Sequence, residues 1–190
     1  MVPIIVTIPE GFDVDKIGDT FASKLPNFNK SRFLSEAEEL EGYLFPDTYF
    51  FLNKADEKDV LKKMNDNFKK KITPFLPEII SLGKNEKEII TMASIIEKES
   101  KGDADREIIS GILWKRIEIN MPLQVDAVSE TYKIKGLPKS PIGNPGLLAI
   151  LASIRPKSSP YLYYLHDKDG IVHYAKTFLE HKKNILKFLK

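Results

Sequence analysis

Glu97 and Glu99 close an apolar stretch, TMASIIEKES at residues 91–100, and Ile95 and Ile96 lie four and three residues before Glu99. On a helix those spacings share a face, so Glu99 stands against hydrocarbon. A carboxyl group in such a wall keeps its proton to higher pH, because burial penalises the charged form. It can then act as a general acid near neutrality. Glu97 has Ala93 and Ser94 at the same spacings, which are smaller and more polar neighbours. Glu99 is therefore the favoured acid, and replacing Glu97 is expected to matter far less. Both carboxylates also fit a plainer reading as solvated charges at a helix end.

The elements that must hold this acid read as an α+β chain. Val2 to Ile8 has strand composition and stops at Pro9, Glu10 and Gly11. A helix follows, capped by Asp13 or Asp15, with Ile17, Phe21 and Leu25 as its apolar stripe until Pro26. Phe28 to Leu40 is a second helical region, and EGYLFPDTYFF then reads as an ordered loop or bent strand around Gly42 and Pro46. Asp56 to Phe75 has helical spacing, ended by Pro74 and Pro77. Asn85 and Glu88 form a capping box for the helix that carries Glu99. The next helix, from about Asp105 to Ile119, has Ile108, Ile109, Ile112, Leu113, Arg116 and Ile117 along its inner side.

Leu123 to Gly146 is irregular and crowded with Gly and Pro, and a stretch of that length inside a compact domain is more often functional than accidental. Asn144 before Pro145 reads as the cap of a short helix through Ile154. Tyr161 to Leu165 and Ile171 to Lys176 flank DKDG as a β-hairpin, and Thr177 with Glu180 opens a final helix. The expected architecture is a small sheet, made of the N-terminal strand and this hairpin, packed by helices.

Composition narrows the chemistry. With 190 residues, 42% hydrophobic, the chain can fill one good core. Its formal charge of +2 comes from interspersed acids and bases, and Lys69, Lys70 and Lys71 read as one solvated helix face, so nucleic acid is not suggested. There is no cysteine, which excludes disulfides, thiolate metal sites and thiol nucleophiles. His166, His173 and His181 match no metal-ligand spacing and read as structural. Neither a metal nor another cofactor is expected. The opening apolar run is far too short to cross a membrane.

The segments VTIPEGFDVDKI, LEGYLFPDTYFF, TMASIIEKES, MPLQVDA, KGLPKSPIGNPG and YLYYLHDKDGIVHYAKTFLEHKKNI resemble, in order and wording, the endolytic peptidoglycan transglycosylases of the MltG (YceG-like) family. Singly each segment is modest; in sequence they are specific. In the family a membrane helix and a LysM-like subdomain precede this region. The resemblance therefore implies that residues 1–28 are the junction after the LysM-like part and 29–190 the YceG-like catalytic domain. It also implies an enzyme on the extracytoplasmic face of the membrane, anchored by that N-terminal helix. The implied partners are peptidoglycan glycan strands and, at family level, cell-wall synthases.

In the family's IxEKE motif the second glutamate is catalytic, which falls on Glu99. The implied reaction cuts the β-1,4 bond between N-acetylmuramic acid and N-acetylglucosamine without adding water, leaving a 1,6-anhydro end. Gln124 and Asp126 match the family's LQxD and would hold acetamido and hydroxyl groups; the alternative is local loop capping. Glu41, Asp47 and Tyr49 lie in EGYLFPDTY, where aromatic neighbours suit stacking on sugar faces or, alternatively, core packing. Asn144 would aim backbone N–H groups at the substrate, or be a cap alone.

The chain departs from the family pattern in two respects. Lys115-Arg116-Ile117 stands where an Asn-Arg-Leu motif is expected, and the segment between Asp126 and Gly136 is shorter than usual, which would reduce one wall of the cleft. Two other functions fit the residue types. One is a peptidoglycan-binding or scaffold module without catalysis, and the other a glycoside hydrolase with Glu99 as acid and Asp126 as base.

Overall fold

The computed structural model describes residues 3–102 and 105–189. Strand β1, Ile4–Thr7, pairs antiparallel with β2, Thr48–Phe51, from Ile4 opposite Phe51 to Thr7 opposite Thr48. Alternation turns Val6, Tyr49 and Phe51 inward and leaves Ile5 and Phe50 exposed. Val2, the expected start of the first strand, lies outside the described residues.

Helix α1, Val14–Ala22, is capped by Asp13, and α2, Lys30–Glu36, by Asn29. Their Ile17, Phe21 and Phe33 join Val60, Leu61 and Met64 of α3, Glu57–Ile72, in one apolar cluster with the β1–β2 pair. Residues before Phe28 thus share a core with those after it. The far end of α3, with Phe68 and Ile72, belongs to a second cluster. Helix α3 ends at Ile72, just ahead of Pro74, as the prolines predict, though further helical turns follow. A 3₁₀ turn, Thr73–Phe75, leads directly into α4, Leu76–Ser81. Pro74 and Pro77 each sit in the first turn of the new segment, where the missing N–H has no partner to lose.

Helix α5, Glu86–Glu99, opens with the expected Asn85/Glu88 capping box. Every residue from Ile89 to Ile96 is buried, the mark of a helix enclosed on all sides. It packs against α4, α6 (Arg106–Glu118) and α7 (Leu147–Ile154). Gly111 of α6 makes room for the chain beyond α7, since an added Cβ would lie 2.0 Å from the Lys157 carbonyl oxygen. Among the described residues no helix is long and apolar enough to cross a membrane.

Strands β3, Tyr163–His166, and β4, Val172–Ala175, form the expected hairpin, closed through Gly170 at φ +80. Helix α8, Phe178–Phe188, starts at the Thr177/Glu180 capping box and lies on this hairpin. The class is α+β, as expected, but the single sheet is not formed. β1 pairs with β2, and β3 pairs with β4, in separate two-stranded sheets. The reason lies in the aromatic segment. Gly42 and Pro46 disrupt its first half, while Thr48–Phe51 alternates inward and outward and offers β1 a nearer partner than the hairpin.

Gly111 allows a test in which two effects oppose. Helix propensity alone would make Gly111→Ala stabilising by about 1 kcal/mol, but overpacking against the Lys157 carbonyl should outweigh it. The expected result is a net loss of about 1–3 kcal/mol, measured from the urea unfolding midpoint.

Candidate active site

Glu99 is the last residue of α5, so the buried helix carries its carboxyl to the edge of the core and releases it into a cleft of about 600 Å³. That volume lies within the range of small-ligand sites, roughly 300–1,000 Å³. Glu99 is half-buried, and burial is the largest influence on its carboxyl, raising its pKa above the ordinary 4.5. Asp126 pushes the same way, while the Tyr164 hydrogen bond, His166 and Arg116 oppose it. The Tyr164 hydroxyl donates to Glu99 Oε2 at 2.7 Å.

Gln124 and Asp126 line the same cleft. Their loop is set by alternation: Leu123 and Val125 are buried, and Gln124 and Asp126 between and after them are exposed. The fully buried Thr131 hydroxyl accepts from Val125 N at 3.0 Å, and Gln124 N donates to Thr131 O at 3.1 Å. Gln124 adopts φ +51, an uncommon left-handed conformation for a residue other than glycine. The Tyr132 hydroxyl donates to Asp126 Oδ1 and forms part of the same wall.

Four of the proposed substrate-binding residues are engaged within the fold instead. Asn144 is fully buried; its Oδ1 accepts from Leu44 N at 2.8 Å, and its Nδ2 donates to Phe12 O at 3.0 Å and to Glu41 Oε1 at 2.8 Å. It does not cap α7, whose N-cap is Gly146. Glu41 Oε2 accepts from Val14 N at 3.0 Å, and burial raises this carboxyl's pKa. Tyr49 is 4% exposed, donates to Phe45 O, and has its phenol pushed up to about 12 by burial. Asp47 accepts from Thr48 N at 2.8 Å and Asn67 Nδ2 at 3.1 Å. None of the four lines the cleft around Glu99. Glu41 and Asn144 close the junction between α1, the aromatic segment and the loop before α7, whereas Tyr49 and the exposed Asp47 tie the aromatic segment to Asn67 of α3.

Glu97 is also more than a bystander. Its side chain is 7% exposed, Oε1 accepts from Arg106 Nη2 at 3.2 Å, and Oε2 accepts from Gly146 N at 2.9 Å. One carboxylate thus ties the end of α5 to the starts of α6 and α7. The small, polar neighbours at Ala93 and Ser94 gave no hint of this, because both partners arrive from other elements.

Sequence reasoning missed four cleft residues. Arg116 is 5% exposed, donates through Nε to Leu162 O at 2.7 Å and through Nη1 to Leu123 O at 2.6 Å, and so joins the start of the hairpin to the Gln124 loop. A cation on the apolar face of α6 was the available signal. Tyr164 and His166 reach the cleft from β3, and His166 Nε2 is 2.7 Å from Asp105 Oδ2. His181, from α8, lines the opposite side and stacks on Tyr163. His173 pairs with Asp167 at 2.7 Å and stacks on Phe188.

The fold and the cleft thus define an α+β domain with one half-buried glutamic acid at the head of a polar groove. The profile of the YceG-like family matches residues 2–130 and 129–187, and the chain belongs to that family. An endolytic murein transglycosylase of Bacillus subtilis is 32% identical over 174 residues, covering 79% of this chain and 48% of that protein. One from Streptococcus pneumoniae is 27% identical over 240 residues, covering 95% and 44%. The chain spans about half the length of the curated relatives it matches. A crystal structure of a yceG-like protein from Listeria monocytogenes superposes with TM-score 0.87 at 28% identity, covering 96% of this chain and 76% of that one. The two stretches of the family match meet at Ser129 and Glu130, within the segment that the sequence marks as short. The pneumococcal match is longer than this entire chain, so that relative carries segments not found here.

The two glutamates should separate cleanly in stability. Glu97→Gln can serve either Gly146 N–H or Arg106 but not both, and should lower stability by about 1–3 kcal/mol. Glu99→Gln should behave differently. A carboxyl whose folded pKa is raised loses stability as pH climbs from its ordinary 4.5 toward the folded value. The neutral amide escapes that loss, so Glu99→Gln should match the parent protein in acid and exceed it as pH rises. Urea unfolding of both variants across a pH series checks the pair.

Proposed function

We propose that this chain is the catalytic portion of a lytic transglycosylase that cleaves peptidoglycan strands internally at the MurNAc–GlcNAc β-1,4 bond. The observation that carries the reading is Glu99: a carboxyl with raised pKa at the head of a cleft large enough for a glycan segment. The activity named for its relatives supports the same reading.

A single carboxyl can perform both halves of the reaction. In its acid form Glu99 gives its proton to the glycosidic oxygen as the bond from the muramyl anomeric carbon breaks, and the GlcNAc end leaves with a free 4-hydroxyl. The resulting carboxylate takes the proton of the muramyl 6-hydroxyl as that oxygen bonds the anomeric carbon. A 1,6-anhydro ring forms and the glutamic acid is regenerated with no water consumed. Gln124 and Asp126 supply an amide and a carboxylate in the same groove for acetamido and hydroxyl groups of the sugars. Work on peptidoglycan implies action on the extracytoplasmic side of the membrane, where cell-wall synthases would be neighbours and a membrane anchor would come from outside this sequence.

Asp126 in the same cleft also supports a two-carboxylate hydrolase as the second reading. Product mass separates the two, since anhydro ends are lighter than reducing ends by one water. Purified peptidoglycan digested by the intact protein should yield anhydro-muropeptides, and Glu99→Gln should reduce their release by about 10²–10⁴-fold while glycan binding survives. Because the acid form starts the reaction, release should fall as pH rises through the raised pKa of Glu99. Reducing-end products would instead establish the hydrolase. Binding without any cleavage would leave a glycan-binding module.

A further inference from the structure

The two oxygens of Glu99 are not equivalent. Oε2 accepts the Tyr164 hydroxyl at 2.7 Å, and among the described residues this is the one side-chain hydrogen bond Glu99 receives. Tyr164 stands on β3, packed against the main apolar cluster, so its ring is fixed by the core rather than by solvent. Burial raises its phenol well above the ordinary value of 10.0, which keeps it a proton donor throughout the working range of a carboxyl.

We propose, building on the transglycosylase reading, that Tyr164 is the positioning residue of this site: by occupying Oε2 it reserves Oε1 as the oxygen that both gives and takes the proton. A carboxyl held at one oxygen cannot rotate freely, so its other oxygen faces the bound sugar in one orientation. The hydrogen bond also strengthens as negative charge develops on Glu99 during proton donation. It therefore stabilises the transition state more than the neutral ground state. A single group that acts first as acid and then as base works best with a pKa near the operating pH. Burial raises the Glu99 carboxyl, and the Tyr164 donor opposes that rise.

Other groups face Glu99 from every side. Arg116 comes from α6, Asp126 and Tyr132 from the loop, His166 from β3 and His181 from α8, with Lys98 and Lys101 on and after its own helix. Arg116 and His166 act on Glu99 through space, whereas Tyr164 touches it. Only the direct contact distinguishes one oxygen from the other.

The test follows the Glu99 carboxyl by carbon NMR in the intact chain, beside the pH profile of anhydro-muropeptide release. Tyr164→Phe keeps the ring and removes the donor. Glu99 should then titrate about one unit higher, the alkaline limb of the profile should move up with it, and release at the plateau should fall about 10-fold. Site-specific 3-fluorotyrosine at position 164 keeps the hydroxyl and makes it a stronger donor, so it should move the Glu99 titration downward even if Tyr164→Phe folds poorly. A Glu99 titration unmoved by either change overturns the proposal. Loss of release without a shift of the limb does the same, since it marks Tyr164 as merely structural. A failure of the transglycosylase reading is recognised separately, by the absence of anhydro ends from the unmodified protein, and leaves the Glu99 titrations to decide the contact.

Discussion

Helix α5 is enclosed along its length by other elements, yet it ends in a carboxyl group at the edge of a cleft. From Ile89 to Ile96 no side chain of α5 reaches solvent to any useful degree. The helix is therefore fixed in rotation and in axial position by packing on several sides, and Glu99 inherits that rigidity. A functional group placed on such an element is held more exactly than one on a loop. The cost is electrostatic. A carboxylate at the C-terminal end of a helix meets the negative end of the macrodipole as well as a low-dielectric wall.

The polar groups around α5 divide by what they are asked to do. Glu97 joins Gly146 N–H and Arg106, and Glu41 with Asn144 joins Val14, Leu44 and Phe12, so these buried groups meet their hydrogen-bonding needs inside the protein. Glu99, Gln124 and Asp126 keep capacity toward the cleft. The contrast is between two glutamates two positions apart. On a helix that offset is roughly 200 degrees of rotation, enough to send Glu97 into the junction of α5, α6 and α7 and Glu99 toward the hairpin.

The cleft itself is assembled from parts far apart in sequence. α5 contributes the acid, Arg116 of α6 anchors both the Gln124 loop and the residue before β3, and β3 contributes the tyrosine that touches Glu99. α8 covers one side while burying none of its own residues fully. The short segment after Asp126 folds as a 3₁₀ turn, Ser129–Tyr132, and Tyr132 then completes the wall beside Asp126. The family match divides inside this turn.

Much of the local structure was legible in the sequence, because it depends on near neighbours. Capping boxes at Asn85/Glu88 and Thr177/Glu180, the hairpin around Gly170 and the apolar face of α5 are decided within a few residues of one another. The candidacy of Glu99 was legible for the same reason, since Ile95 and Ile96 lie one helical turn away. Pairing was not. Whether β1 would join β2 or the hairpin depended on packing between remote segments, and so did the fate of Asn144, whose side-chain partners lie 100 to 132 residues away. Tyr164 reaches Glu99 across 65 residues, and nothing in the local pattern of YLYYLH singles out which tyrosine turns toward the acid. Short-range periodicity was enough to mark Glu99 as a candidate acid and to draw the helix that carries it. The tertiary structure alone decided which polar groups are spent holding the fold and which remain for a ligand, because a hydrogen bond is settled by distance in space and not along the chain.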